Sequence, residues 1–243
     1  MIDNLGRYGI IIADFLSYQK EGASMAKKTF AVIGLGRFGQ SVVEELIKND
    51  YDVLVIDKDD TQLQKMSKLA SHAMVLDTTD ENALRDIGIN AIDHVVVAIG
   101  HSIQDSILTT MILKELGVPK VTVKVQNTYH EKVVMRIGAD EVVQPERLTG
   151  RRLAHRMMGN NIFEFYDLSE NHSFIEVEVV EKVVGSTVVN LDLRQKHNIN
   201  LVAIKRGQDI IIPTPTTTFE AGDHIILIGT NKDLQKFSLW CEK

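Results

Sequence analysis

Short apolar runs alternate with stretches of helical spacing between residue 28 and about residue 144. The runs predict six β-strands, at 30–33, 53–57, 73–76, 94–99, 121–125 and 141–143. The intervening stretches predict amphipathic helices, at 40–48, 62–70, 81–87, 103–116 and 129–137. Because strands and helices alternate, the pattern predicts an α/β fold of the Rossmann type, a doubly wound parallel sheet with helices on both faces.

The pattern changes beyond Pro145. Residues 146–158 read as a helix that Gly159-Asn-Asn161 ends. Strict alternation then predicts a strand at 174–180. A hairpin around Arg206-Gly-Gln, a further strand and a closing helix follow, at 198–205 with 209–212, at 223–228 and at 232–239. This second part predicts a small α+β domain.

The composition is that of a folded, globular chain. Of the 243 residues, 44% are hydrophobic, which suffices for a substantial core. The net charge is −6 and the basic residues are scattered, so we expect no nucleic-acid partner. The single cysteine, Cys241, excludes a disulfide framework and indicates a reducing, cytoplasmic setting. No apolar run approaches the roughly 20 residues of a membrane helix. Residues 1–24, before Met25-Ala-Lys-Lys, are expected to be a leader or an N-terminal extension.

The strongest chemical signal is Gly34-Leu-Gly-Arg-Phe-Gly39, which follows the first strand and opens the first helix. A G-x-G-x-x-G turn in this context predicts a nucleotide site. Gly34 permits the tight turn, Gly36 lets the backbone approach a phosphate, and Gly39 lets the helix pack closely on the strand. The N–H groups and the helix dipole then face an anion.

Asp57, at the end of the second strand, has the spacing of a residue that accepts hydrogen bonds from a ribose. A carboxylate at this place favours a free 2′-hydroxyl, so the sequence favours NAD, ATP or ADP over NADP. Arg37, inside the glycine turn, is placed to bind a further phosphate, and a solvated arginine is the alternative.

Three later turns are expected to ring the ligand, because doubly wound sheets bind ligands at the carboxyl ends of their strands. They lie at 77–80, 100–102 and 126–128. Asp77 is expected to reach the adenine or to cap a helix, and Thr79 or Asp80 to cap the third helix, with a ligand contact as the alternative. His101 either touches a phosphate or has a plain surface role.

The sequence shows no catalytic set beside this site. Four histidines stand singly, without a carboxylate at metal or triad spacing: His155, His172, His197 and His224. We therefore expect a nucleotide sensor and not an enzyme. One alternative is a small NAD(H)-dependent oxidoreductase or NAD(H) redox sensor, which Asp57 suits. Another is a ligand-responsive transcription factor, which requires a basic helix-turn-helix that the sequence lacks.

Several motifs together resemble those of a known family, the RCK or KTN regulatory subunits of bacterial Ktr and Trk potassium uptake. They are Val32-Ile-Gly-Leu-Gly-Arg-Phe-Gly39, Asp57, Val95-Val-Val-Ala-Ile-Gly100 and Ala139-Asp-Glu-Val-Val-Gln-Pro-Glu146. The resemblance covers nearly everything after Met25. It implies a nucleotide-binding RCK-N domain at 25–144, a crossover helix at 145–160 and a ligand-binding RCK-C domain at 161–243.

The resemblance also implies a setting and partners. The subunit is expected in the cytoplasm, attached to the inner face of the membrane through a potassium translocator of the Ktr or Trk type. Homodimers are expected to assemble into a ring of eight, with ATP favouring the active ring and ADP the inactive one. Nucleotide contacts are implied at Gly34, Leu35, Gly36, Arg37, Phe38, Gly39, Asp57, Lys58, Asp77, Thr78, Ala98, Ile99 and Gly100.

Some of these positions carry specific roles in the family. Arg37 matches the residue that meets the terminal phosphate across the dimer, and Asp77 matches the adenine-side position. Glu146 matches a carboxylate that helps hold a divalent cation, Mg²⁺ or Ca²⁺, beside the ATP phosphates. An ordinary acid at a helix N-terminus is the alternative for Glu146.

The C-terminal domain resembles modules that bind cyclic di-AMP at a dimer interface. The candidate positions are Val188, Leu193, Arg194, Asn200, Leu201 and Pro213, with Pro215 as an alternative to Pro213. An apolar wall and one arginine from each subunit suit a two-fold symmetric ligand with two phosphates.

Overall fold

The computed structural model describes residues 27–66, 70, 72–158 and 162–241. The predicted leader at 1–24 and the predicted helix break at 159–161 lie outside these residues. The chain forms two compact units that divide between Pro145 and Glu146.

The first unit alternates strands with helices. Its strands are β1 (Phe30–Ile33), β2 (Val53–Asp57), β3 (His72–Val75), β4 (His94–Val97), β5 (Lys120–Lys124) and β6 (Glu141–Val143). Its helices are α1 (Arg37–Lys48), α2 (Asp60–Met66), α3 (Glu81–Asp86), α4 (Ile103–Glu115) and α5 (Thr128–Arg136), with a 3₁₀ turn at Ile89–Ala91. The strands pair in parallel in the order β3-β2-β1-β4-β5-β6. The predicted doubly wound α/β fold is confirmed.

Successive side chains of each strand enter cores on opposite faces of this sheet. In β1, Val32 belongs to one core, whereas Ala31 and Ile33 belong to the other. Val43 of α1 shares the core of Val32, and Leu113 of α4 shares the core of Ala31. Because both faces are covered, the strands read as continuous apolar runs in the sequence.

The strand order reverses beside β1. The chain passes from β1 to β2 on one side and returns to place β4 on the other side. The turn after β1 and the turn after β4 therefore diverge from a common point at the carboxyl edge of the sheet. Ligands of doubly wound folds bind in the crevice that forms at such a point.

The second unit begins in α6 (Pro145–Met158) and is mostly antiparallel sheet. Its strands are β7 (Ile162–Asp167), β8 (His172–Glu178), β9 (Ile199–Arg206), β10 (Asp209–Ile211) and β11 (His224–Thr230), in the order β10-β9-β11-β8-β7. Its further helices are α7 (Val188–Leu191), α8 (Leu193–His197) and α9 (Asn231–Cys241). The predicted small α+β domain is confirmed. Within the described residues, no helix is long and apolar enough to span a bilayer.

Three elements of the second unit are absent from the sequence prediction. The pairing of β7 with β8 shifts register between Ile162 and Glu164, so that the alternation expected of a strand is broken there. The helices α7 and α8 are each too short to show a helical period. Asp192, in the left-handed conformation with φ 47°, separates them.

Candidate functional site

A cavity of about 480 Å³ lies at the carboxyl ends of β1, β2, β3 and β4. Its volume is within the range of about 300–1,000 Å³ that small-molecule sites occupy. Of the predicted nucleotide positions, the cavity is lined by Gly34, Gly36, Asp57, Lys58, Asp77, Thr78, Ala98, Ile99 and Gly100. The structure thus gathers residues from the glycine turn and from the ends of three further strands.

Other predicted positions do not line this cavity. The side chain of Leu35 is fully buried in the core that contains Val32. Phe38 packs, partly buried, against the same core, and Gly39 is buried at the start of α1. Arg37 is exposed at the first position of α1. These four residues shape the glycine turn or lie beside it. Of the turn itself, Gly34 and Gly36 face the cavity.

The three glycines of the turn differ in why the fold needs them. Gly34 has φ 94°, and a Cβ there would lie 3.0 Å from the carbonyl carbon of Ala98. A Cβ on Gly39 would collide with the carbonyl oxygen of Gly34. Gly36 has an ordinary φ of −66°, and a Cβ there would meet no atom of the described residues within 4 Å. The fold therefore requires glycine at 34 and 39, whereas at 36 glycine leaves the backbone bare toward the cavity.

The Asp57 carboxylate links β2 to the glycine turn. Its Oδ2 accepts a hydrogen bond from the amide nitrogen of Leu35 at 2.6 Å, and its Oδ1 accepts from that of Asp59 at 2.9 Å. Each carboxylate oxygen has a second lone pair. Asp57 can hold the turn in place and still accept hydrogen bonds from ribose hydroxyls.

The turn after β3 is ordered by its own side chains. The Asp77 Oδ1 accepts from the amide nitrogen and the hydroxyl of Thr79, at 3.0 and 2.7 Å. These two bonds, with the charge of Lys58 nearby, hold the pKa of Asp77 below its ordinary value. Asp80, and not Thr79, is the N-cap of α3 and accepts from the amide nitrogen of Asn82 at 2.9 Å. Asp77 therefore stays ionised at the cavity wall.

The turn after β4 carries an ion pair. The Lys58 Nζ lies 3.1 Å from Oδ2 of Asp105, in the first turn of α4, and His101 Nε2 lies 3.8 Å from the same oxygen. Hydrogen bonding by the side chains of Ser102 and Lys58 lowers the pKa of Asp105. His101, which the sequence leaves without a partner, therefore has a carboxylate neighbour.

The turn after β5 does not line the cavity, contrary to expectation. The Gln126 side chain donates to the carbonyl oxygen of Gly100 at 3.0 Å. Asn127 caps α5, its Oδ1 accepting from the amide nitrogens of Tyr129 and His130. Residues 126–128 support the Gly100 turn and the following helix instead of facing the cavity.

Sequence reasoning also missed residues of the cavity wall. Asp59, Gln62 and Asp105 line it, although no motif includes them. Asp105 offered one usable signal, an acid in the first turn of the helix that follows a cavity turn. Gln62 lies in the first turn of α2, and its position depends on how α2 packs.

A second cavity, of about 510 Å³, lies in the second unit. It lies where α7 and α8 meet the start of β9 and the segment 213–215. All the positions predicted for a cyclic dinucleotide line it: Val188, Leu193, Arg194, Asn200, Leu201 and Pro213. Pro215 lines it as well, and its carbonyl oxygen accepts from the amide nitrogen of Val189 at 3.0 Å. The walls are mainly apolar, with Arg194 and Asp192 as the charged groups.

Both units match known protein families. Residues 30–145 match the TrkA-N domain, and residues 174–241 match the TrkA-C domain. The Ktr system potassium uptake protein C of Bacillus subtilis is 48% identical over 212 residues, which are 87% of this chain and 96% of that protein. The chain belongs to this family of potassium uptake proteins.

Further relatives agree with this membership. The Ktr system potassium uptake protein A of Bacillus subtilis is 38% identical over 211 residues, covering 86% of this chain and 95% of that protein. A solved structure of the GsuK channel bound to NAD matches with a TM-score of 0.64 at 15% identity, over 96% of this chain and 44% of that one. It shows the fold. The resemblance to RCK regulatory subunits is confirmed, and the chain is a regulatory protein of Ktr potassium uptake and not an enzyme.

In this Ktr family member, Glu146 lies in the first turn of α6, at the start of the second unit. No group of three His, Cys, Asp or Glu side chains among the described residues could hold a metal ion. The side chains that the structure describes do not make a cation site by themselves. A cation beside a nucleotide would need further ligands from the phosphates, from water or from a second copy of the chain.

The histidines of the second unit mostly pack against aromatic rings. His155 stacks on Phe165 with ring centroids 3.8 Å apart, and His197 lies edge-on to Phe237. His224 lies against the ring of Phe163 and also has a carboxylate partner, because its Nδ1 lies 2.9 Å from Oε1 of Glu176. The expectation that His224 lacks a neighbouring carboxylate is therefore wrong.

Proposed function

We propose that this chain is a cytoplasmic, nucleotide-gated regulatory subunit of a potassium transporter, and that its first unit distinguishes ATP from ADP. Gly36 supports this most directly, since it lines the cavity and no contact with the residues that the structure describes requires glycine there. A bare backbone at the start of a helix is what a phosphate needs for close approach. The Ktr relatives support potassium as the transported ion.

Different residues of the cavity are proposed to bind the ribose and the phosphates of an adenine nucleotide. The Asp57 carboxylate receives the ribose hydroxyls, as in other doubly wound nucleotide sites. The backbone at Gly36 and the N-terminus of α1 receive the phosphates. Arg37, exposed one position further on, supplies a guanidinium for a terminal phosphate of a nucleotide bound in its own chain or in a second copy.

Gating requires that the two nucleotides bind two states of the assembly unequally. A ligand with equal affinity for both states shifts nothing. The proposed assembly is a ring of eight made of homodimers, docked on a membrane potassium translocator at the inner face of the membrane. ATP stabilises the ring that activates the translocator, and ADP stabilises the other ring. A divalent cation beside the ATP phosphates, with Glu146 among its ligands, belongs to the same proposal.

Calorimetric titration of the full chain with ATP and with ADP tests the sensing step. We expect saturable binding of both, with unequal affinities, and an Arg37→Gln protein in which the two affinities converge. The control is Arg85→Gln, an exposed arginine on α3 that pairs with Glu81, outside the cavity wall. Equal affinities for ATP and ADP in the parent would contradict the gating model.

Potassium-dependent growth and co-purification test the proposed membrane partner. Co-expression with a Ktr translocator in a strain that lacks potassium uptake is expected to restore growth at low potassium, and the chain is expected to co-purify with the translocator. Neither effect should occur with a chain that carries Asp57→Ala. Growth that does not depend on the chain would contradict the proposed partnership.

A redox role is the second candidate, because Asp57 and the cavity suit NAD as well as ATP. Titration with NADH, followed by nicotinamide fluorescence, separates the two. Tighter binding of NADH than of ATP would favour a redox sensor over an energy sensor.

For the second cavity we propose cyclic di-AMP as the ligand, bound between two copies of the chain. Its apolar walls suit two adenines, and Arg194 supplies one guanidinium per copy for the phosphates. We expect saturable binding by the full chain, weakened about tenfold or more by Arg194→Gln. Lys196→Gln, on the same helix but outside the cavity wall, is expected to bind normally. An absence of saturable binding by the parent would overturn this ligand.

A further inference from the structure

The wall of the first cavity is strongly acidic. Four carboxylates line the cavity: Asp57, Asp59, Asp77 and Asp105. Among the lining residues that the structure describes, Lys58 and His101 are the basic ones. Lys58 directly follows Asp57, so its ammonium group is the cation attached nearest to the expected ribose position.

The ammonium group of Lys58 is already paired with a carboxylate of the cavity wall. Its Nζ lies 3.1 Å from Oδ2 of Asp105, a residue 47 positions further along the chain. His101 Nε2 stands 3.8 Å from the same carboxylate oxygen. The pair joins the end of β2 to the first turn of α4, across the crevice at the carboxyl edge of the sheet.

A phosphate on the ribose 2′ position needs a cation at this place. Doubly wound sites that accept a 2′-phosphate provide an arginine there, whereas those that refuse it rely on an acid at the end of the second strand. In this chain Lys58 follows the end of the second strand, where such a cation is needed, but its ammonium group is bound to the carboxylate of Asp105. Asp105 is ionised at neutral pH, since its hydrogen bonds lower its pKa.

We propose that Asp105 is a specificity-determining residue of the nucleotide site. By binding Lys58 it withholds an ammonium group that could neutralise a 2′-phosphate, and it restricts the cavity to nucleotides with a free 2′-hydroxyl. Asp57 and Asp105 thus act together, the first by repulsion and the second by holding the lysine. This inference rests on the proposed binding of adenine nucleotides.

A pair of matched ligands tests the inference. AMP and adenosine 2′,5′-bisphosphate differ only in the 2′-phosphate, and calorimetry gives the ratio of their dissociation constants. The proteins are the parent, Asp105→Asn, Lys58→Gln and the double variant. We expect the parent to prefer AMP, and Asp105→Asn to reduce that preference about threefold to fivefold, because it releases Lys58 from an exposed ion pair worth up to about 1 kcal/mol.

The Lys58→Gln background distinguishes the held lysine from simple loss of negative charge. There, Asp105→Asn is expected to change the preference by less than about twofold. An equal effect of Asp105→Asn in both backgrounds, or none in either, would overturn the inference and leave the proposed function standing. A parent that binds neither AMP nor ADP would overturn the proposed function and this inference with it.

Discussion

The amide nitrogen of Leu35 lies 2.6 Å from Oδ2 of Asp57, which ties the glycine turn to the end of the neighbouring strand. The other carboxylate oxygen accepts from the amide nitrogen of Asp59. The side chain proposed to hold the ribose therefore also holds the wall of its own cavity. Substitutions of Asp57 affect both binding and stability, and the two effects must be measured separately.

We expect Asp57→Ala to lose nucleotide binding and about 2 kcal/mol of stability, since two backbone N–H groups lose a charged acceptor. Asp57→Asn keeps one oxygen as an acceptor and is expected to lose about 1 kcal/mol. Its amide nitrogen cannot accept from a ribose hydroxyl, so binding still weakens. Urea denaturation and calorimetry measure the two effects. Parent-like nucleotide affinity in Asp57→Asn would contradict the role of the carboxylate.

Acidification below neutral pH is expected to destabilise the first unit. Burial lowers the pKa of His130, which is 2% exposed, and burial with the charge of Lys120 lowers the pKa of His94. Near pH 6 the folded state therefore binds fewer protons than the unfolded state. The stability is complete above the unfolded pKa of about 6.5 and decreases as the pH falls through it.

The measurement is the urea midpoint between pH 7.5 and pH 5.5, a window above the titration of most carboxylates. We expect His94→Gln, which keeps a hydrogen-bonding partner for Thr122, to reduce the pH dependence. His172→Gln, exposed in the second unit, serves as the control. A midpoint that rises on acidification would contradict this prediction.

A buried carboxylate is expected to hold the second unit together. Asp223 is fully buried, and its two oxygens lie 2.8 and 2.9 Å from Nε and a terminal nitrogen of Arg206. The amide nitrogen of Glu220 donates to it at 2.9 Å. We expect Asp223→Asn to destabilise the unit by about 2 kcal/mol, because it leaves Arg206 without its buried partner.

The same ion pair predicts how the stability of the second unit decreases at acidic pH. The hydrogen bonds from Arg206 lower the pKa of Asp223, so its contribution is complete above the unfolded pKa of about 3.9 and is lost as the pH falls through the lower folded pKa. Fluorescence of Trp240, the only tryptophan, reports on this unit. Asp209→Asn, exposed on β10, is the control, and an Asp223→Asn protein as stable as that control would refute the prediction.

The first sheet was predictable because its strands are buried on both faces. The ends of the strands were less so. The prediction extends β4 to Ile99, whereas the strand ends at Val97, and Ala98 and Ile99 line the cavity. In the second unit the shifted pairing beside Ile162 hides β7 from a search for alternation. Local deviations of the backbone leave no period in the sequence.

The residues of the site also differ in how far the sequence predicts them. The glycine turn and Asp57 are recognisable because strand, turn and helix follow one another within a short stretch. Asp105 is not recognisable, since its contact with Lys58 forms only when the folded sheet brings the end of β2 and the start of α4 to the same edge. The prediction that the turn at Gln126 lines the cavity is wrong. Ligands bind at the carboxyl ends of the strands, but this rule does not say which turns face the ligand and which support a neighbouring turn, as Gln126 does for Gly100.

The central claim is that the cavity beside Gly36 binds an adenine nucleotide, and calorimetric titration of ADP into the parent and a Gly36→Ala protein tests it most directly. A Cβ at Gly36 meets no atom of the described part of the chain within 4 Å, so we expect a melting temperature within about 2 °C of the parent. Gly39→Ala is the matched comparison, because its Cβ would collide with Gly34 and is expected to cost about 3 kcal/mol. Saturable binding by the parent that weakens about tenfold or more in Gly36→Ala is the predicted result. Unchanged ADP affinity in a folded Gly36→Ala protein, or no binding by the parent, would contradict the claim.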